Sequence, residues 1–150
     1  MFSMKTKYAL CACLNLARHT ERSSMIISEI SQEGNLPQKF LESILQELRR
    51  GGVLQSRKGR HGGYSLTRSP RAISLGEILR LTGSMRLETE NSHRDADPGH
   101  PVTGVDEVNV SALLSGVRGN LMKVLDDTSL QDMLDKWESR RQPSDVDWVI

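Results

Sequence analysis

Aromatic side chains are scarce in this chain, at 4% of 150 residues. That scarcity argues against a platform for single-stranded nucleic acid, where successive bases stack on exposed rings. Long apolar runs are missing too. No stretch approaches the ~18 consecutive apolar residues of a membrane-spanning helix, and the opening MFSMKTKYAL lacks the apolar centre of a secretory signal. The expected location is therefore cytoplasmic, which a reducing compartment and the low cysteine content suit. The two cysteines are Cys11 and Cys13. Two positions apart in a helical segment, their side chains point about 200° apart, so a disulfide between them is not expected. By themselves they supply neither a structural zinc site nor a cluster site. The four histidines, His19, His61, His93 and His100, are scattered. With no nucleophile–base arrangement and no phosphate-binding glycine motif, an enzyme is not expected.

What is present is an uneven distribution of charge. The net charge is only +1, yet residues 1–87 hold 14 Lys/Arg against 6 Asp/Glu and residues 88–150 hold 6 against 13. A cationic front half suits a polyanionic partner. The alternative is a two-lobed protein with uneven solubilising charge.

Apolar periodicity predicts a first helix over 4–19, with Leu10, Cys13, Leu14 and Ala17 on one face. Ser28 is placed to cap a short second helix reaching Asn35, with Ile30 inward and Gly34-Asn35 as its stop. Pro37 suits the first turn of a third helix. Its apolar face is Leu41, Ile44, Leu45 and Leu48, its remaining surface carries Gln38, Lys39, Glu42, Ser43, Gln46 and Arg49, and Gly51-Gly52 ends it. Two short helices joined by a tight turn make a helix-turn-helix candidate. Residues 53–56 and 64–67 then read as short strands flanking Arg57-Lys58-Gly59-Arg60-His61-Gly62-Gly63, a loop suited to a hairpin. Between Glu47 and Glu77 there is no acid, while Arg49, Arg50, Arg57, Lys58, Arg60, Arg68 and Arg71 all fall there. A hairpin with a basic tip beside a helix-turn-helix is a wing.

Ser74 and Glu77 form an S-x-x-E capping box, with Ile73 and Ile78 as a hydrophobic staple. Leu75, Ile78 and Leu79 bury the helix that follows, and Gly83 stops it. Residues 84–105 hold no period and read as a loop or linker. Helices return over 106–141, where Val110, Leu114, Val117, Leu121 and Val124 make an apolar seam of heptad spacing. Such a seam fits packing against a second copy, and Gly116 and Gly119 are placed to let backbones approach closely. The alternative is packing back on its own domain. Thr128 and Gln131 read as a second capping box, with Leu130, Met133, Leu134 and Trp137 on one face beyond it. Residues 142–150 read as a tail, with Trp148 a candidate for docking. The expected fold class is mostly α with a small β-hairpin wing: a winged helix-turn-helix domain over 1–83 and a long C-terminal dimerisation helix.

The runs Lys7-Tyr8-Ala9-Leu10, Phe40-Leu41-Glu42-Ser43-Ile44-Leu45 and Gly59-x-x-Gly62-Gly63-Tyr64 resemble the Rrf2 family of bacterial transcription regulators. Its members include regulators of iron–sulfur cluster, nitric-oxide and cysteine metabolism. The resemblance is strong over 1–83 and weaker through the long helix and Thr128-Ser129-Leu130. It implies a homodimer whose C-terminal helices cross and whose winged domains read a palindromic operator, expected here as a repressor. Family members often hold an iron–sulfur cluster on three cysteines in the loop before the dimerisation helix. Here that stretch, 92–104, contains no cysteine. Because thiolates are the usual cluster ligands, neither a cluster nor another cofactor is expected.

The expected partner is double-stranded DNA. Docked in the major groove, the third helix offers Gln38, Lys39, Glu42 and Ser43 to base edges; Glu42 can accept from cytosine and Gln38 can pair with adenine. Arg57, Lys58, Gly59, Arg60, His61, Gly62 and Gly63 form the wing that meets phosphate or the neighbouring minor groove. The family often has arginine where Lys58 stands. Arg49 and Arg50 hold phosphates and set register. Two alternatives stand beside this reading. One is a winged-helix module that docks on an acidic protein. The other is a thiol- or metal-responsive regulator, using Cys11 or Cys13 as a sensor or His93, Asp95, Asp97 and His100 as ligands. No metal site is assigned, and an effector of unknown kind remains open.

Overall fold

A computed structural model of the protein describes residues 2–60, 62–83 and 107–141. The linker expected over 84–105, the tail over 142–150 with Trp148, and His61 lie outside the described residues. Helix α1 (Met4–Arg18) starts where the Ser3 hydroxyl accepts the Thr6 amide at 3.2 Å. Its core face is Ala9, Ala12, Cys13 and Leu16, while Leu10 and Leu14 are half-buried at the margin. The stripe is therefore rotated from the expected one. Four other helices pack on α1, and small side chains let several backbones approach it at once.

Helix α2 (Ile27–Gly34) begins earlier than expected. The Ile26 amide donates to Glu29 Oε2 at 3.1 Å, which leaves Ser28 inside the first turn and not at the cap. Asn35 ends α2 in the left-handed region, at φ 49°, a conformation its short polar side chain tolerates. Helix α3 (Gln38–Arg50) follows Pro37 and buries Leu41, Ile44, Leu45 and Leu48, as the period predicts.

Strands β1 (Leu54–Arg57) and β2 (Gly63–Leu66) pair antiparallel, with Leu54 opposite Leu66 and Arg57 opposite Gly63. Both are offset by one residue from the expectation. Val53 and Thr67 sit below the ladder, joined by the Thr67 amide to the Val53 carbonyl at 3.0 Å. Met25 adds a one-residue third strand. Its amide donates to the Tyr64 carbonyl at 2.9 Å, and the Tyr64 amide donates to the Met25 carbonyl at 2.7 Å. The hairpin is thus pinned to the residue that leads into α2.

A 3-10 turn at Pro70–Ala72 leads to helix α4 (Leu75–Leu81). The Ser74 hydroxyl accepts the Glu77 amide at 3.2 Å. The Glu77 carboxylate turns instead to Arg68, at 2.5 Å, so this capping box is half formed. Helices α5 (Glu107–Asp127) and α6 (Leu130–Arg141) follow. The second capping box is formed by Ser129 and Asp132, one residue beyond the expected pair. The Ser129 hydroxyl accepts the Asp132 amide at 3.1 Å and the Ser129 amide donates to Asp132 Oδ2 at 2.8 Å. Thr128 is already engaged in closing α5, its hydroxyl donating to the Val124 carbonyl at 2.7 Å.

The α5–α6 corner is fastened to the start of α4. The Leu75 amide donates to the Thr128 carbonyl and the Leu130 amide to the Ile73 carbonyl, both at 2.9 Å. Arg80 clamps Asp126 with two bonds of 2.7 and 2.6 Å. Leu130 is wholly buried in the same core as Ile44, Leu48, Ile73 and Ile78. On α6, Trp137 is flanked by the guanidinium groups of Arg18 and Arg141 at 4.7 and 4.6 Å from its ring centre, within cation–π range.

Candidate nucleic-acid interface

Burying one face of α3 fixes what the other presents. Gln38, Lys39, Glu42, Ser43, Arg49 and Arg50 are all exposed. At 100° per residue, Gln38, Glu42 and Arg49 share one flank, Lys39, Gln46 and Arg50 the crest, and Phe40 and Ser43 the other flank. A groove of about 430 Å³ runs between the first flank and the wing, lined by Ile26, Ile27, Gln38, Ser56, Arg57 and Lys58 among others. Gln38 and the two wing cations are thereby brought together. Ser43 is not among them. Its hydroxyl donates to the Phe40 carbonyl at 3.1 Å, and it borders a separate apolar hollow with Met4, Tyr8 and Phe40.

The wing's turn is built on its glycines. Gly59 has φ 107°, and its carbonyl accepts the Gly62 amide at 2.9 Å. A Cβ on Gly62 would stand 2.7 Å from the Arg57 carbonyl oxygen, so the tight turn that exposes Arg57, Lys58 and Arg60 needs glycine there.

Several cations are paired with acids, although Lys7, Arg71, Lys123, Lys136 and Arg140, away from this face, are exposed and enter no ion pair among the described residues. Lys5 pairs with Glu47 at 2.7 Å and Arg22 lies 3.7 Å from Glu29, while Arg68 and Arg80 are paired as described. On α3 and the wing, Lys39, Arg49, Arg50, Arg57, Lys58 and Arg60 are all exposed and enter no ion pair among the described residues, and no acid lies between Glu47 and Glu77 to meet them. Because Glu47 is tied to Lys5, Glu42 is the acid of α3 without an ion pair among the described residues. Sequence reasoning missed Ile26, Ile27, Ser28 and Ser56 as walls of the groove. Ile26, Ile27 and Ser28 reach it through the Met25–Tyr64 bridge, a long-range contact with no local signal, and Ser56 through its place on β1 beside Arg57.

The cysteines occupy different environments. Cys13 is buried, and desolvation, with the nearby Glu77 charge, pushes its thiol up to about 12. Cys11 is exposed, and partial burial raises its thiol as well. A reactive sensor thiol requires the opposite shift. Among the described residues no group of three or more His, Cys, Asp or Glu is placed to hold a metal; His93, Asp95, Asp97 and His100 lie outside them.

Along α5, Val110, Leu114, Val117 and Val124 are exposed and Leu121 is half-buried. Gly116 and Gly119 have open space beside them, but 100° per residue puts Gly119 roughly opposite the seam. The glycines therefore do not thin the apolar face as expected.

A helix-turn-helix with a β-hairpin pinned beside it defines a winged helix-turn-helix protein. The chain belongs to the Rrf2 family, whose model, described as an iron-dependent transcriptional regulator, matches residues 2–136. It is 33% identical over 141 residues to an rrf2-like HTH-type transcriptional regulator of Rhodobacter capsulatus, covering 89% of this chain and 92% of that one. It is 30% identical over 133 residues to the HTH-type transcriptional regulator CymR of Bacillus subtilis, covering 87% of each. Among solved structures, T. potens IscR matches with a TM-score of 0.73 at 26% identity, over 94% of this chain and 90% of that one. The B. subtilis global cysteine regulator CymR matches with a TM-score of 0.67 at 28% identity, over 91% and 97%. The family and fold read from the sequence are those found, and they carry DNA-binding transcription regulation with them. No helix among the described residues is long and apolar enough to cross a membrane.

The family description names iron. Cluster ligation calls for a set of thiolates, and this chain has two cysteines, one of them buried and held protonated. The donors present do not fit an iron–sulfur cluster.

Proposed function

We propose that the chain is a homodimeric, sequence-specific repressor that reads a palindromic operator without an iron–sulfur cluster. The observation that carries this reading is that α3 and the wing present six exposed cations, unpaired among the described residues, with Arg57 and Lys58 of the wing lining one groove with Gln38 of α3. In this scheme α3 lies in the major groove, Gln38, Lys39 and Glu42 read base edges, and Ser43 stands at the margin. Arg49 and Arg50 neutralise phosphates, and Arg57, Lys58, Arg60 and His61 reach phosphate or the adjacent minor groove. The apolar row Val110, Leu114, Val117, Leu121 and Val124 pairs with the same row of a second copy, which sets two reading heads on one duplex.

Equilibrium binding to duplexes at several salt concentrations tests the scheme. Each phosphate contact removed should flatten the slope of log affinity against log salt by about 0.9. Replacing Lys58 and Arg60 with Ala should weaken all duplexes alike, whereas Glu42→Ala should change which sequences are preferred. An affinity indifferent to salt would overturn the reading. Retention of an acidic protein after nuclease treatment, with no duplex bound, would favour a protein-docking module instead.

A further inference from the structure

A second cavity, about 420 Å³, abuts the same Met25–Tyr64 bridge. Ser24 and Met25 line it where Ile26 and Ile27 line the DNA-side groove, and Tyr64 borders both. Its volume falls within the roughly 300–1,000 Å³ of small-molecule sites. The wall is made by the turn after α1, by β2 and by the segment leading to Pro70. His19, Arg22 and Arg68 converge there with five Ser and Thr hydroxyls, and no Asp or Glu is among the described residues lining it. The carboxylates that meet these side chains stand outside the lining. Glu33 is 2.9 Å and Glu21 3.4 Å from the two ring nitrogens of His19, Glu29 is 3.7 Å from Arg22, and Glu77 is 2.5 Å from Arg68. They hold the three side chains in place, and each guanidinium has five N–H donors to share between partners.

A donor-rich hollow whose lining carries two guanidinium groups and no carboxylate is suited to an anion. We infer that this cavity binds a small anionic metabolite through a carboxylate or phosphate group. Its occupancy alters how the hairpin sits against α2, and hence the affinity for DNA. The coupling runs through Tyr64, whose backbone is one half of the bridge and whose residue borders both spaces. The binding half stands on the cavity alone, while the regulatory half rests on the DNA-binding reading. By linkage, DNA must change the anion's affinity by the same factor as the anion changes DNA's.

The test is a titration of the isotopically labelled full chain with inorganic phosphate and with citrate, followed through backbone amide shifts. Saturable shifts at Ser23, Ser65 and Ser69 are expected, weakened about tenfold by Arg22→Gln, since charge-assisted hydrogen bonds are the strong ones. Arg22 lies in an exposed turn, so that variant should fold. Ser65→Val, which fills the space without removing a charge, should weaken binding as well. Shifts that never saturate, that gather at Arg57 and Lys58, or that persist in both variants would overturn the site. So would movement of the Ser23 and Ser65 amides by duplex DNA but by neither free anion, because the cavity would then be a backbone-phosphate contact. For the regulatory half, citrate at matched ionic strength should shift duplex affinity about fivefold or more in the wild type and not in Ser65→Val. No shift would remove that half. A chain that binds no duplex at all would remove it too, while leaving the amide result to decide the site.

Discussion

Gly63 answers to two demands at once. Its φ of 143° lies where side chains are rarely found, and a Cβ would collide with the Met25 carbonyl that β2 pairs with. Gly63→Ala should therefore cost about 1–3 kcal/mol, the usual toll of a forbidden backbone region. At about 2–4 °C per kcal/mol for a chain of this size, calorimetry should register the loss. Cys13 gives a pH signature of its own. Its thiol ionises near 12 in the folded chain but near its ordinary 9.0 when unfolded. The raised value means that its contribution is fully present below pH 9 and is lost as pH climbs toward 12. Urea midpoints measured from about pH 8 to about pH 11 should fall for the wild type and fall less for Cys13→Ala. The residue-level site was legible to the extent that the helical period dictated it. Gln38, Lys39, Glu42, Arg49 and Arg50 are outward because Leu41, Ile44, Leu45 and Leu48 are inward. Ser43's turn away from the wing was not legible, because it depends on which side of α3 the hairpin folds.

Helix ends separate local from distant control. Ser129→Ala should cost about 1 kcal/mol, as N-cap losses do, because it removes the acceptor for the Asp132 amide. Thr128→Ala should cost less, since its hydroxyl only supplements one carbonyl at the end of α5; paired thermal melts would rank the two. Asp126 is held below the usual carboxylate range by its hydrogen bonds to Arg80. Its contribution is therefore present above that range and fades as acid takes the pH through the lowered value. Both partners are exposed, so Arg80→Gln should hardly move the melting temperature, yet amide exchange around Asp126 should quicken. The elements themselves were readable from periodicity and stop signals, and their ends were mostly right to a residue or two. The errors have a common cause. Met25's pairing drew α2 forward, and the α4 contact drew the second cap from Thr128 to Ser129; both are long-range hydrogen bonds that no local pattern announces.

At the scale of the molecule, the split between a cationic front half and an acidic back half was visible in composition alone, whereas the attachment of α6 to α1 was not. The seam on α5 carries a further expectation. If two copies meet there, unfolding is coupled to dissociation and the melting temperature rises with protein concentration. Val117→Glu should give a monomer by sedimentation whose melting temperature no longer depends on concentration. A concentration-independent wild type would speak against the pairing.

Leu130 reaches the core from nearly fifty positions beyond α4, the last helix of the winged helix-turn-helix, and is wholly buried there. The winged helix-turn-helix is in effect a box whose lid is stored elsewhere on the chain. A fragment stopping at Gly83 would be left ajar, its core short of Leu130 and the Ile73 carbonyl without the Leu130 amide, and should be prone to aggregate. Exchange of winged helix-turn-helix units between relatives faces the same constraint. A splice anywhere within 84–106 parts the lid from its box, so a working chimera has to carry residues 128–134 across together with the first 83.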